Sequence, residues 1–587
     1  MTIYKIIIND KTYLNYIFFE KLQNKEILLN IDPIKNKLFS NDSFIINKNN
    51  EITIIDSIIK NKKEIPGVLI LNNNKTYGRR NDKLVYKCIP NDKTLPDFLV
   101  PYEMKNMGFS KVFTNIYVTI SFDDWSNKHP YGILKNIIGC VNDNHNFYEY
   151  QLYCKDLNNS ITKLTKETNN KVKLSFNSLV SEYLINNKNI EHRTNSNFNI
   201  FSIDPINSLD FDDAFSINKI DENTHIISIY ISNVSIYLDI LNLWETLSER
   251  VSTIYLPHQK KPMLPNILSD NICSLKEQQN KFTFVMDIII TNNTIIDIKF
   301  NNCYVFINKN YYYEEKNLLI NDDYKLLFNI TKNLANNKNR KYIDTINDSH
   351  DIVSYLMILM NYECSKKMLE YNNGIFRSTI YKENTQNIDL LPDDIKQNIK
   401  ILISNSGRYI SGNCESNKEN NIFIHETLGL SSYLHITSPI RRLVDLLNMI
   451  QFQINMNTTN LSKGSDLFYN SEMFYNSEMF YNKWIEKLDY INTTMKSINK
   501  VQNECSLLNL FYENKSISEK LFDGYILNKE LKKNGIFKYD IYLPELKLTS
   551  KINSITNFIN YDKKQFKLFL FNDEDNVKRK IKLQLII

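Results

Sequence analysis

Glycine and proline are scarce in this sequence, 12 and 13 among 587 residues, while asparagine, isoleucine, lysine and tyrosine abound. That bias reads as the codon usage of an AT-rich genome. It says little about function, blurs propensity-based readings, and means that asparagine-rich stretches need not be disordered. Eight cysteines stand at 88, 140, 154, 273, 303, 364, 414 and 505, and none has C-x-x-C spacing. No zinc or redox motif is indicated, and free thiols in a reducing compartment are expected. No apolar run approaches 18 residues, so no membrane-spanning helix is expected. The opening MTIYKIIINDK meets charge too soon for a signal peptide. These absences together predict a cytoplasmic or nuclear protein. A strong excess of either charge is also missing: 71 basic against 66 acidic side chains leave +5, too little to argue a nucleic-acid partner from charge alone. A local basic channel inside that balance stays open.

What is present is the make-up of a soluble globular chain, 42% hydrophobic and 23% charged. At this length three to five domains are expected. The first ~190 residues carry short β-branched or aromatic runs, among them ITIID (52–56), PGVLIL (66–71), KVFTNIYVTI (111–120) and FYEYQLY (147–153), which predict small barrels. In the middle, HIISIYISNVSIYL (225–238) reads as a buried strand. Residues 349–371 and 441–454 have apolar residues at helical spacing. The last ~70 residues return to strand-like runs. Residues 468–482, FYNSEMFYNSEMFYN, repeat a six-residue unit, too short for a solenoid and expected as a surface loop.

The most informative stretch is FSIDPINSLDFDDAFS (201–216). Asp204, Asp210, Asp212 and Asp213 fall within ten positions with no lysine or arginine among them. Like charges raise each other's pKa, and a divalent cation reverses that penalty. An all-oxygen set favours Mg²⁺ or Mn²⁺ over Zn²⁺. Counting from Asp204, the EF-hand positions three, five and six hold Ile206, Ser208 and Leu209, so that calcium loop is excluded. An extended DFDD puts Asp210 and Asp212 on one face and Asp213 on the other. A turn at INSL is then needed to gather all four. The bland alternative is an acidic solvated turn, against which the apolar flanks Ile203, Phe211, Ala214 and Phe215 argue.

IDPINSLDFDDAFS resembles the signature I-D-P-x-x-x-x-D-x-D-D-A of the RNB (ribonuclease II) exoribonucleases. Further segments resemble the family in order: TIYLPHQKKPMLP (253–265), LSDNICSL (268–275), YLHITSPIRR (433–442) with Asp445, and the helix around Glu504. Residues 89–101 and 118–141 are similar to the second cold-shock barrel of the eukaryotic branch, which holds the exosome's catalytic exonuclease subunit. The endonuclease (PIN) domain of that subunit is absent from the expected layout. The resemblance implies a multidomain α+β chain. Its parts are cold-shock-like barrels at 1–90 and 91–190, an RNB catalytic domain at 191–514 and an OB-type RNA-binding barrel at 515–587. Leu443, Met449 and Ile450 depart from the family's Tyr and His-Arg.

The resemblance also implies roles. The four aspartates hold metal, with Asp210 and Asp212 catalytic. Arg441 grips a phosphate near the scissile bond, Tyr255 stacks on the 3′-terminal base, and Glu504 shapes the 3′-end pocket. Arg442 is the alternative phosphate contact or a structural partner of Asp445, and His435 is a structural or RNA-contacting residue. The implied activity is processive 3′→5′ hydrolysis of single-stranded RNA to nucleoside 5′-monophosphates by a monomer. The alternative is an inactive RNB homologue serving as an RNA-binding or assembly module.

Overall fold

The computed structural model describes residues 2–586, except 73–74, 104–112, 337–341, 344, 380–395, 397–406, 414–421, 463–470, 533, 547 and 574–576. Side chains at 457–462, 471–475, 515 and 528 also fall outside the description. The chain divides into two compact units. One comprises Met1–Asn158, Leu256–His258 and Asn499–Ile587, the other Asn159–Tyr255 and Gln259–Ile498.

The first unit holds three antiparallel-based sheets that share one five-strand order, the second adding a short sixth strand, Arg79–Arg80, beside Lys83–Pro90. Numbering the five strands of each by sequence, every sheet runs 3-2-1-4-5. In the sheet built from Ile65–Leu69, Lys83–Pro90, Phe98–Tyr102, Ile116–Asp124 and Tyr131–Cys140, the fifth strand also pairs in parallel with the third, Tyr131 opposite Leu99. That pairing closes the barrel and removes its edges. Alternation drives the strands: in Phe537–Leu543, Tyr539, Ile541 and Leu543 are buried while Lys538 and Asp540 are not. The same face carries Phe566 and Leu568 from Lys563–Asn572 into the core of the last barrel. The expected architecture of OB-type barrels flanking a mixed domain in sequence therefore holds.

Several local expectations need correction. The strand Lys83–Pro90 pairs with Phe98–Tyr102, so a boundary at 90 would cut a sheet, and the first two sheets divide between Asp56 and Ile65 instead. FYEYQLY is not a strand but part of the helix Asn144–Cys154. Asp143 caps it by accepting the His145 N–H (2.8 Å), and Tyr150 stacks on Tyr117 at 4.4 Å. The cap and the packing override the β preference of aromatics. The strand at 225 ends at Ser232, and Asn233 starts the helix Val234–Ile240. The repeat, whose residues 468–470 lie outside the described residues, is helical over Ser471–Ile485 rather than a loop. Phe480, Tyr481 and Trp484 are buried there, with Phe480 5.2 Å from Trp244.

The second unit is built on a seven-stranded sheet. Its order is Glu191–Arg193, Thr294–Ile307, Gln279–Thr291, Thr224–Ser232, Asp213–Lys219, Phe201–Asp204 and Lys309–Tyr312. Residues of alternating parity supply two buried faces. Phe215, Ile229, Phe284, Met286 and Ile288 join a core with Leu327, Leu356, Leu359 and Met449 from the helices Asp322–Ala335, Ser349–Glu370 and Leu443–Ser462. Ala214, Tyr230, Val285 and Val305 form the core of the opposite face. The two helices expected from periodicity are thus present, and Leu443, Met449 and Ile450 are all buried packing residues. Each such fully buried side chain contributes about 1.5–3 kcal/mol relative to exposure.

Candidate active site

The carboxylates gather where two neighbouring strands meet a tight loop. Asp204 ends Phe201–Asp204, and Asp213 begins Asp213–Lys219, which pairs with it antiparallel. Between them the chain turns at PINS, the Ser208 N–H donating to the Pro205 carbonyl (3.1 Å). Asn207 takes φ +70°, a conformation asparagine tolerates better than most residues. Buried Ser274 pins the following loop. Its hydroxyl donates to the Leu209 carbonyl (2.8 Å) and accepts the Phe211 N–H (3.0 Å). The segment LSDNICSL thereby has a function in holding DFDD in place. All four aspartates line one cavity of about 870 Å³.

The four are not equivalent. Asp212 is 3% exposed and satisfied on both oxygens: one accepts the Ile440 N–H (3.1 Å), the other Arg441 Nε (3.0 Å). Asp210 accepts Lys260 Nζ (3.0 Å), which also donates to Asp270 (3.1 Å). Asp204 and Asp213 each keep a buried Oδ2 with no hydrogen-bond partner. Burial, reinforced by Asp212, pushes the Asp204 carboxyl up to about 7. Burial pushes Asp212 up to about 6, Arg441 opposing it. Asp213 is raised well above the usual carboxylate range by burial and then by Asp204 and Asp212.

Orphaned buried carboxylate oxygens fit a hard divalent cation, which needs them ionised. Among the described residues no three Asp, Glu, His or Cys side chains converge on one point. The four aspartates expected to hold metal all line the cavity, but their partners differ. Asp204 and Asp213 are open to an ion, whereas Asp210 and Asp212 already face protein cations. Two carboxylates suit Mg²⁺, which keeps several waters and binds through one or two carboxylates plus substrate oxygens.

Arg441 and Tyr255 come to the same cavity. Ser438 accepts Arg441 Nη2 (3.0 Å), so Ser438 and Asp212 fix the guanidinium while 44% of the side chain stays exposed. Arg442 instead pairs with buried Asp445 (2.8 Å), whose carboxylate also accepts the Ser438 N–H (2.8 Å) and steadies the helix start. Tyr255 is 44% exposed on the strand Ile254–Leu256. Its phenol is raised by burial and by Asp210. His435 has Tyr409 Oη 2.9 Å from Nδ1, and burial, then Arg442 and Arg377, push its imidazole well below the usual range. It also lines the cavity. Glu504 belongs to the other unit and faces Lys580 at 3.7 Å. It is not among the residues lining the cavity.

Sequence reasoning missed Lys260, Asp270 and Tyr313. Tyr313 lines the cavity, donates its N–H to the Asp204 carbonyl (3.0 Å) and stacks on His350 at 3.6 Å. One tyrosine of the YYY run at 311–313 carries no signal of its own. Lys260 sits inside the quoted segment 253–265, where a lysine beside a lysine gives no hint of its partner.

Residues 192–458 match the RNB domain family, and the chain carries an RNB domain. A ribonuclease R of Ureaplasma parvum is 34% identical over 113 residues, 19% of this chain and 15% of that relative's length. The chain thus matches well under two thirds of such relatives. Among solved structures, Mycoplasma genitalium RNase R in complex with ribose-methylated single-stranded RNA has the same fold. Its TM-score is 0.68 at 15% identity, covering 99% of this chain and 100% of that one. Yeast Ssd1, described as a pseudonuclease, gives 0.57 at 13% identity over 96% and 80%. Bacterial and yeast proteins both match, so the expected eukaryotic placement is not singled out.

Proposed function

We propose that this chain is a hydrolytic 3′→5′ exoribonuclease that degrades single-stranded RNA processively to nucleoside 5′-monophosphates. RNB ribonucleases are generally dependent on a divalent metal. Here Mg²⁺ fits best, with Mn²⁺ as a substitute. The observation that carries this reading is the pair of buried, unpartnered oxygens on Asp204 and Asp213 beside a fixed Arg441 in an RNB domain.

Asp204 and Asp213 would hold the ion. Bound there, it would supply a hydroxide-like nucleophile at neutral pH and offset charge on the scissile phosphate. The chain's own residues do the rest. Asp212 and Ser438 orient the Arg441 guanidinium, whose open face is shaped to take phosphate oxygens with a planar fork. That contact strengthens as charge builds on the phosphate in the transition state. Tyr255 offers a sequence-tolerant stacking face worth about 1–3 kcal/mol per base. The OB-type barrels suit backbone-directed, sequence-independent grip on a single strand.

The fold alone does not separate a nuclease from an inactive homologue, since Ssd1 shares it. The acidic set favours the nuclease, because a scaffold gains nothing from buried unpaired carboxylates. An assay on 5′-labelled single-stranded RNA with Mg²⁺ tests it. Wild type should consume the substrate to a short limit product, and Asp212→Asn or EDTA should abolish this. Wild type that binds the RNA yet leaves it intact in both Mg²⁺ and Mn²⁺ would establish the scaffold instead.

A further inference from the structure

Lys260 is the one lysine that donates to an aspartate of the DFDD loop among the described residues. Its Nζ bridges Asp210 (3.0 Å) and Asp270 (3.1 Å), and all three side chains are largely buried, 24%, 15% and 13% exposed. The bridge is itself built in. Asp270 also accepts the Ser269 hydroxyl (2.7 Å). The short helix that carries it, Leu268–Ile272, is held at its end by buried Lys281, whose Nζ donates to the Ile272 carbonyl (3.1 Å). Ser274, two residues beyond the helix, pins the DFDD loop. One rigid segment therefore positions both the aspartates and the ammonium that faces them.

The charges around the cavity show what this does. Asp212 is answered by Arg441 and Asp210 by Lys260, leaving Asp204 and Asp213 as the only two of the four without a protein cation. We infer that Lys260 is a resident counter-ion that occupies Asp210 in place of a second divalent cation, so that the site takes one metal ion rather than two. An ammonium about 3 Å from a carboxylate oxygen fills the position a ligated ion needs and repels a second ion nearby. It delivers one positive charge without a coordination shell. Lys260 is on this account a positioning residue, holding Asp210 through an ion pair. The inference rests on the metal reading of the aspartates.

Counting bound Mn²⁺ tests it without reference to activity. The full-length protein is titrated with Mn²⁺, and free ion is followed by electron paramagnetic resonance. Four forms are compared: wild type, Lys260→Met, Lys260→Arg and Lys276→Met. Lys276 lies in the same segment but contacts Asn271 rather than an aspartate, so its loss controls for general charge. Thermal unfolding checks that each form is folded. Wild type should bind one Mn²⁺ per chain and Lys260→Met two, while Lys260→Arg and Lys276→Met stay at one. One ion in both wild type and Lys260→Met overturns the inference and leaves the metal site standing. Two ions in wild type, or a second ion gained by Lys276→Met, also overturns it. No ion in any of the four removes the metal reading as well.

Discussion

Asp287, buried, and Asp213, half-buried, lie on strands of the same seven-stranded sheet, and the fold answers them differently. Asp287 receives two η nitrogens of Arg193 (2.8 and 2.6 Å) and the Ser228 hydroxyl (2.6 Å). Arg193 Nε is in turn matched by Glu191 (2.9 Å). Asp213 and its neighbour Asp204 each bury an oxygen that meets nothing. A buried carboxylate without a counter-charge is among the costliest groups a fold can carry. The sheet evidently has the means to neutralise one, and does so at Asp287. The other pair is left open, as the proposed metal site requires. On the proposed function, one cluster serves stability and the other chemistry.

Asp213→Asn should break the chemistry while sparing the fold. Burial raises the Asp213 carboxyl well above the usual carboxylate range, and asparagine imitates its protonated form. RNA hydrolysis should fall by about 10³-fold or more, the scale of losing a key electrostatic group. Stability in urea should stay within about 1 kcal/mol of wild type. A variant that unfolds instead would make this cluster structural, like the other.

Arg193→Met should do the reverse. It strands Asp287 as an uncompensated buried charge, a loss of about 3–5 kcal/mol. Urea denaturation reads the loss, and the RNA-cleavage rate per folded molecule should be unchanged. A variant that keeps its stability but loses cleavage would collapse the distinction.

The two clusters were unequally legible in the sequence. The aspartates crowd into ten residues, and the INSL turn between them was inferable because Pro205 to Ser208 close locally. Arg193 and Asp287 are 94 positions apart, and nothing in either neighbourhood names the other. The same limit hid Lys260, 50 positions from Asp210, and so hid which aspartates are already neutralised. Helices with clear periodicity, such as Ser349–Glu370, read correctly. The six-residue repeat did not, because what makes it a buried helix is Trp244, far away in sequence.

Tyr255→Ala sharpens the contrast within the cavity. It removes an aromatic face but no charge, so RNA affinity should weaken by about 1–3 kcal/mol. Filter binding in EDTA reads this, and Tyr255→Phe should restore it. Equal affinity of Tyr255→Ala and wild type would return Tyr255 to a packing role.

The smallest effect separates the clusters by pH. Burial raises Asp204 to about 7 and Asp212 to about 6, and lifts Asp213 well above the usual range, against about 4 in the unfolded chain. Below about pH 4 both states hold these protons and nothing is gained or lost. Between about pH 4 and pH 7 the unfolded chain releases protons that the folded one retains, so stability falls as pH rises. Above about pH 7 the folded carboxyls ionise and repel. A divalent cation counters that repulsion only once they are ionised. Mg²⁺ should therefore raise the Tm of this unit at pH 8 and not at pH 5, each kcal/mol appearing as roughly 2–4 °C. Arg193→Met should lower Tm at both pH values yet leave the Mg²⁺ increment intact, because Asp287 already has its counter-charge without a metal. An increment equal at pH 5 and pH 8, or abolished by Arg193→Met, would mean the ion binds somewhere other than the unpaired aspartates.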